Sequence, residues 1–255
     1  MGHLKYGELE VSISPTHEAL GSLAAEDFAT TVNSELASRD EIAVILATGN
    51  SQLSFIRAVG ERDDIDWSRI TVLHMDEYLG MDEDHTASFR RWMRENLVER
   101  VNPKAFNGVR GDHLPVEEEI VRYSSLVRDL DPAVCVMGIG ENGHLAFNDP
   151  PADFFDARSA RVVKLDMVSR QQQVDEGHFT TFDEVPQQAI TVTIPRLLNA
   201  ADIIASVPGR AKRQAVINTL TMPISGQYPG TALRTHHHVS LYLDSESDPS
   251  SNPIV

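Results

Sequence analysis

Cysteine is nearly absent: Cys135 stands alone, which excludes an intramolecular disulfide and fits a reducing, cytoplasmic setting. Basic residues are scarce as well. Lys and Arg number 22 against 38 Asp and Glu, leaving a formal charge of −16, a field that repels polyanions and disfavours nucleic acid or an anionic membrane as partner. Any phosphate the chain binds must therefore be held by a local pocket. Missing too is a long apolar run: nothing approaches the ~20 residues that span a bilayer, and the opening stretch MGHLKYGELEVSIS has no apolar core of signal-peptide length. Secretion and membrane insertion are not expected. No repeat, biased tract or Pro/Gly/Ser-rich linker interrupts the chain. With 41% hydrophobic residues over 255 positions it can bury one sizeable core. The expectation is a single α/β domain over residues 1–244, followed by a polar tail, 245–255, that frays.

The hydrophobic pattern alternates between two periods. Ser14 as N-cap and Pro15 in the first turn lead into Leu20, Leu23, Ala24, Phe28, Val32 and Leu36 at helical spacing. Ile42 to Ala47 is a continuous apolar run, as a strand buried on both faces requires, and the turn TGNS then opens a second helical pattern through Leu53, Ile56 and Val59. The alternation continues with strands at 70–75, 133–139, 161–165, 189–194, 202–207 and 239–243. Helices are expected at 86–101, with Thr86 as cap, and at 117–130 and 210–220. Strands alternating with helices imply a Rossmann-like three-layer α/β/α fold with a mostly parallel central sheet, whose ligands sit beyond the carboxyl ends of the strands. The three strongest strands end in TGNS, MDEY and GIGENGH; as neighbours they would converge on one crevice.

Each of those endings carries chemistry and a plainer alternative. Thr48, Gly49, Asn50 and Ser51, between strand and helix, suit a phosphate cradle of free N–H groups at a positive helix end; they also suit an ordinary turn capped by Ser51. Neither Gly-Lys-Ser/Thr nor G-x-G-x-x-G is present there, which counts against ATP and NAD. Asp76 and Glu77 follow a buried strand, where one of them can act as a general base or both can be solvated. In Gly138 to Pro150, three glycines permit a tight backbone, and His144 has Asn142 and Asp149 close in sequence, a setting for a proton-exchanging imidazole. No G-x-S-x-G occurs, and Cys135 lies mid-strand, so covalent acyl chemistry is disfavoured. His236, His237 and His238 point alternately to opposite faces of a strand and cannot easily share a tetrahedral ion; no metal is expected. Lys212, in the first turn of a helix, is either a surface lysine or a cation whose charge a phosphate offsets.

In order, T-G-N-S, H-M-D-E-Y-L-G with D-H-T-A-S-F, G-I-G-E-N-G-H-L-A-F-N-D-P, V-P-Q-Q-A-I-T-V-T-I and P-G-R-A-K run through nearly the whole chain. Together they resemble the glucosamine-6-phosphate deaminase family, whose wider group includes the 6-phosphogluconolactonases. M-D-E-Y and G-H-x-A-F-N resemble the deaminase branch. The resemblance implies isomerisation and deamination of glucosamine 6-phosphate to fructose 6-phosphate and ammonia, without metal or other cofactor, on a small-molecule hexosamine phosphate, with homo-oligomers known in the family. It implies that Asp76 is the base between the first two sugar carbons, that His144 assists ring opening flanked by Asn142 and Asp149, and that Thr48, Gly49, Asn50, Ser51 and Lys212 hold phosphate. Three departures stand out: T-G-N-S-Q replaces Gly-Gly-Ser/Thr-Pro, Asn142 cannot ionise, and the stretch that supplies a phosphate-gripping arginine in the family is replaced by S-R-Q-Q-Q-V-D-E-G-H-F, leaving Arg170 as substitute. They point to a divergent member with a related hexosamine phosphate as substrate. A lactonase of the same fold and a non-catalytic hexosamine-phosphate sensor are the competing readings.

Overall fold

The structure is a computed structural model that describes residues 2–6 and 9–250. Among them are eleven strands: β1 (Gly2–Tyr6), β2 (Leu9–Ser14), β3 (Ile42–Leu46), β4 (Ile70–His74), β5 (Asp76–Tyr78), β6 (Ala105–Asn107), β7 (Val134–Met137), β8 (Ala160–Lys164), β9 (Gln188–Val192), β10 (Asp202–Val207) and β11 (Val239–Asp244). Eight of them form one sheet in the order β1-β2-β11-β10-β7-β3-β4-β6. Only the edge strand β1 runs antiparallel to its neighbour; all other pairs are parallel. β5, β9 and β8 form a second, antiparallel sheet.

Strand alternation sends successive side chains of the main sheet to opposite faces, and both faces are covered. From β3, Ile42, Val44 and Leu46 pack with Leu20, Phe28, Val32, Phe55, Ile56 and Val59, the apolar stripes of helices His17–Ser38 and Leu53–Gly60. Ile45 faces the other way, into a cluster with Leu73, Cys135, Tyr123, Val127, Leu197 and Val216. Phe28 sits at the centre of the first layer, edge-on to Phe55 at 5.6 Å and stacked on Trp67 at 6.1 Å. A third cluster, with Tyr78, Phe89, Phe147, Phe179 and Val185, underlies the small sheet. The three-layer, mostly parallel architecture is the one the sequence implies.

Several local expectations are corrected. Ser14 does not cap the first helix, because its backbone is paired with Asp244 at the end of β2; Thr16 does so, its hydroxyl accepting from the Ala19 N–H at 3.2 Å. Thr86 does not cap the next helix either. Ser88 does, and residues 82–88 fold as turns in which His85 Nδ1 accepts from the Ala87 N–H. The strands expected near 161–165 and 189–194 leave the main sheet and pair antiparallel in the small one. Of the tail expected to fray, residues 245–250 are held: Ser245 Oγ donates to the Pro15 carbonyl at 2.9 Å, Arg213 Nε donates to the Glu246 carbonyl at 3.0 Å, and Ser247 is buried. Residues 251–255 lie outside the described residues. Among the described residues no helix is long and apolar enough to cross a membrane.

Candidate active site

The strand order makes β10, β7, β3 and β4 consecutive neighbours, so the loops that follow their carboxyl ends meet over one cleft of about 590 Å³. Its lining includes Thr48, Gly49, Ser51 and Gln52 after β3, Met75 and Asp76 after β4, Gly138 to Gly140 and His144 after β7, and Lys212 after β10. Gln172, Gln173 and Glu176, from helix Met167–Asp175 and the residue that ends it, close another side. Of the sequence candidates, Thr48, Gly49, Ser51, Asp76, His144 and Lys212 therefore come together.

Asp76 is buried and begins β5, paired with Thr191. Burial, reinforced by the neighbouring charge of Glu77, pushes its carboxyl up to about 8, while the Phe147 N–H works in the opposite direction. The alternation of β5 turns Glu77 away from Asp76, into a polar nest where it accepts from the Tyr78 N–H at 3.0 Å, Ser88 Oγ at 2.8 Å and the Arg90 N–H at 3.0 Å. Burial raises Glu77 to about 7 against those donors. Of the two adjacent carboxylates, then, one faces the cleft and the other braces the loop behind it. His74, two residues before Asp76 at the end of β4, is buried and held near 3 by desolvation and by Arg90 and Arg122, so its ring stays neutral and accepts from the Val109 N–H at 2.7 Å.

His144 is fixed from behind. Its Nδ1 lies 2.9 Å from Ser169 Oγ and 3.2 Å from Asp149 Oδ1. Ser169 donates its hydroxyl proton to Asp149 in a short hydrogen bond, which leaves Ser169 Oγ to accept from His144 Nδ1–H. Nδ1 therefore carries the proton and Nε2 is the free ring nitrogen. Asn142 completes the unit: Nδ2 donates to Asp149 at 3.0 Å and Oδ1 accepts the His144 N–H at 3.0 Å. Burial raises the Asp149 carboxyl, but the contacts from His144, Asn142 and Ser169 outweigh it and bring it down to about 2. The ring lies so close over Gly140 that a Cβ there would meet Nε2 at 2.2 Å, so only glycine fits. Asn142 and Asp149 thus stand behind the imidazole, outside the lining.

At the loop after β3, Gly49 adopts φ 98 and no side chain caps the turn of residues 50–52. Ser51 is thus not a capping residue; its Oγ accepts from Gln52 Nε2 at 3.1 Å and lines the cleft. Asn50 is absent from the lining, its amide donating instead to the Glu176 carbonyl at 3.0 Å. Arg170 is placed elsewhere altogether. Its guanidinium donates to the Phe182 and Val185 carbonyls at 2.8 and 2.7 Å and lies 4.0 Å over the Phe182 ring, turned from the cleft by the turn of helix that carries it. Among the described residues no arginine lines the cleft. Of the three consecutive histidines, His236 is taken up by the backbone: Nδ1 accepts from the His238 N–H at 3.1 Å and Nε2 faces the Ala200 carbonyl oxygen at 2.9 Å. Sequence reasoning missed Ser169, Gln172, Gln173 and Glu176 because it assigned no helix there; Asp166, whose carboxylate caps that helix, was the available signal.

A carboxyl and an imidazole facing one open cleft, with a lysine and a glycine turn also in its lining, form a set suited to moving protons on a small anionic substrate. Residues 15–242 match the family of glucosamine-6-phosphate isomerases/6-phosphogluconolactonase. The chain belongs to this family. A curated glucosamine-6-phosphate deaminase of Streptococcus pneumoniae serotype 4 is 34% identical over 202 residues, covering 79% of this chain and 84% of its own. A solved monomeric glucosamine-6-phosphate deaminase superposes with a TM-score of 0.87 at 28% identity, over 95% of this chain and 99% of that one. The 6-phosphogluconolactonase of Thermotoga maritima has a TM-score of 0.73 at 17% identity, covering 92% of this chain and 98% of its own, a likeness of fold alone.

Proposed function

We propose that the chain converts glucosamine 6-phosphate, or a closely related hexosamine 6-phosphate, to the ketose phosphate and ammonia. The observation that carries this reading is the shared cleft: Asp76, after β4, and His144, after β7, line the same cavity as Lys212, Thr48, Gly49 and Ser51. The relatedness to deaminases over most of the chain supports it.

The proposed sequence begins at His144, whose free Nε2 takes the anomeric hydroxyl proton and returns it to the ring oxygen, opening the hemiacetal. Ser169 and Asp149 hold the ring in the tautomer this needs. Asp76 then removes the proton from C2 and delivers one to C1. The C1–C2 enolamine becomes an imine at C2, water adds to it, and ammonia leaves as the C–N bond breaks. These steps need only proton transfers and water. A carboxyl raised to about 8 is poorly ionised in the free cleft at neutral pH; the substrate's ammonium beside it favours the carboxylate and creates the base where it is used. Lys212 and the residue 48–51 turn receive the phosphate. Every group invoked belongs to one chain, so a monomer suffices as the catalytic unit, and the single thiol fits a cytoplasmic setting.

The test is an ammonia-release screen over glucosamine, galactosamine and mannosamine 6-phosphates. Release from at least one is expected. Binding of all three without release would favour a sensor, and hydrolysis of 6-phosphogluconolactone in place of deamination would favour the lactonase reading, which gives Asp76 no task.

A further inference from the structure

At the polar end of the cleft two carboxylates flank one lysine among the described residues. Lys212 Nζ, nearly buried, lies 3.6 Å from Glu176 Oε1 and 3.9 Å from Glu141 Oε1. Glu176 is the better anchored of the two carboxylates. Its Oε1 accepts from Gln172 Nε2 at 2.7 Å, His178 Nε2 lies 3.5 Å from Oε2, and its backbone carbonyl accepts from Asn50 Nδ2 at 3.0 Å, joining it to the turn after β3. Burial acts to raise its carboxyl, but His178, Lys212 and Gln172 outweigh it and hold the group charged. The offset to the Lys212 charge that sequence reasoning assigned to a ligand is thus already present as protein.

We propose that Glu176 is the specificity-determining residue of the phosphate end: its carboxylate occupies the anion position beside Lys212, and an arriving phosphate dianion has to displace it. This rests on the reading that Lys212 receives the substrate phosphate. A phosphate site normally gathers N–H and cationic donors. Here the dianion meets a fixed negative charge within ion-pair distance of Lys212, the one lysine or arginine in the lining among the described residues, and like charges so placed cost affinity. Glu176 therefore discriminates against weakly anchored anions such as inorganic phosphate. It admits a phosphate ester only when the sugar contributes binding at the Asp76 and His144 end.

The decisive experiment titrates inorganic phosphate calorimetrically into the full-length wild type, Glu176→Gln, Glu176→Ala and Lys212→Met, with KM for glucosamine 6-phosphate measured in parallel. Gln keeps the size of the side chain and an acceptor for Gln172. Glu176→Gln is expected to bind phosphate about tenfold tighter, with KM for the phosphate substrate falling alongside it and inhibition by unphosphorylated glucosamine unchanged. Glu176→Ala should also tighten phosphate, and Lys212→Met should lose it. Unchanged or weaker phosphate binding in both Glu176 variants overturns the proposal, as does an equal gain for unphosphorylated glucosamine. If the wild type turns over no hexosamine phosphate, the functional reading fails while the phosphate titration still decides the role of Glu176.

Discussion

Replacing Asp76 with Asn should cut turnover severely while making the protein more stable, and the stability gain should grow with pH. The carboxyl is displaced from 3.8 to about 8 because it is buried beside Glu77. Between those two values the unfolded chain has released the proton and the folded chain still holds it. The folded state thus binds more protons, and wild-type stability falls as pH rises from about 4 to about 8. At roughly 1.4 kcal/mol per unit the full displacement corresponds to several kcal/mol. The amide's own hydrogen-bonding needs and water entering the cleft offset part of it, leaving an expected gain of about 1–3 kcal/mol at pH 8. For a chain of this length that is a rise of roughly 3–10 °C in melting temperature. At pH 5, close to the unfolded value, the gain should be under about 1 kcal/mol. Thermal unfolding of both proteins at pH 5 and pH 8, with ammonia release at pH 8, reads all three quantities. Turnover should drop by about three orders of magnitude, the scale of a lost general base. An Asn variant equally stable at pH 8, or one that gains the same at both pH values, would refute the burial argument; retained turnover would remove Asp76 as the base.

Two further substitutions separate positioning from structure. Ser169→Ala breaks the bridge from Asp149 to His144 Nδ1; kcat should fall about tenfold with a displaced pH profile, and Ser169→Thr should recover part of it, whereas an unmoved profile would reduce Ser169 to packing. Arg170→Ala strips two donors from the Phe182 and Val185 carbonyls and a cation from the Phe182 ring. It should cost about 1–3 kcal/mol in urea unfolding and leave KM for the phosphate substrate within a factor of about two; a tenfold rise in KM would restore Arg170 as a phosphate ligand.

The main sheet was legible because its strands carry their own signal. Ile42 to Leu46 and Val134 to Met137 are buried at every position, which no amphipathic surface element imitates. Of the small sheet, β8 and β9 were legible as strands, but β5 and the pairing were not. Asp76–Tyr78 is too short to show a period, and β8, buried at one end and exposed at the other, takes its partner from tertiary pairing with β9. The same limit explains the misplaced caps. Ser14 and Thr86 are as suitable chemically as Thr16 and Ser88, and what excluded Ser14 was its ladder with Asp244, a contact 230 residues away in sequence.

Within the site, the legible residues were those that a strand end delivers directly: Asp76 after β4, His144 after β7, Thr48 to Ser51 after β3. The illegible ones share a helix. Ser169, Gln172 and Gln173 are its buried residues, spaced as one helical stripe, and every one of them is polar. A search for helices looks for an apolar stripe because burial ordinarily means contact with a hydrophobic core. This stripe is buried against the back of His144, the Tyr78 hydroxyl and the cleft, where hydrogen-bonding groups are required. Its Q-Q-Q run therefore lowers every sequence score for a core helix for the same reason that it suits a helix walling a polar cleft. A polar stripe at i, i+3 and i+4 after a capping Asp, in a chain whose other helices show apolar stripes, is a physical signature of a site-facing wall and would have led from the sequence to Ser169, and one turn further on to Glu176.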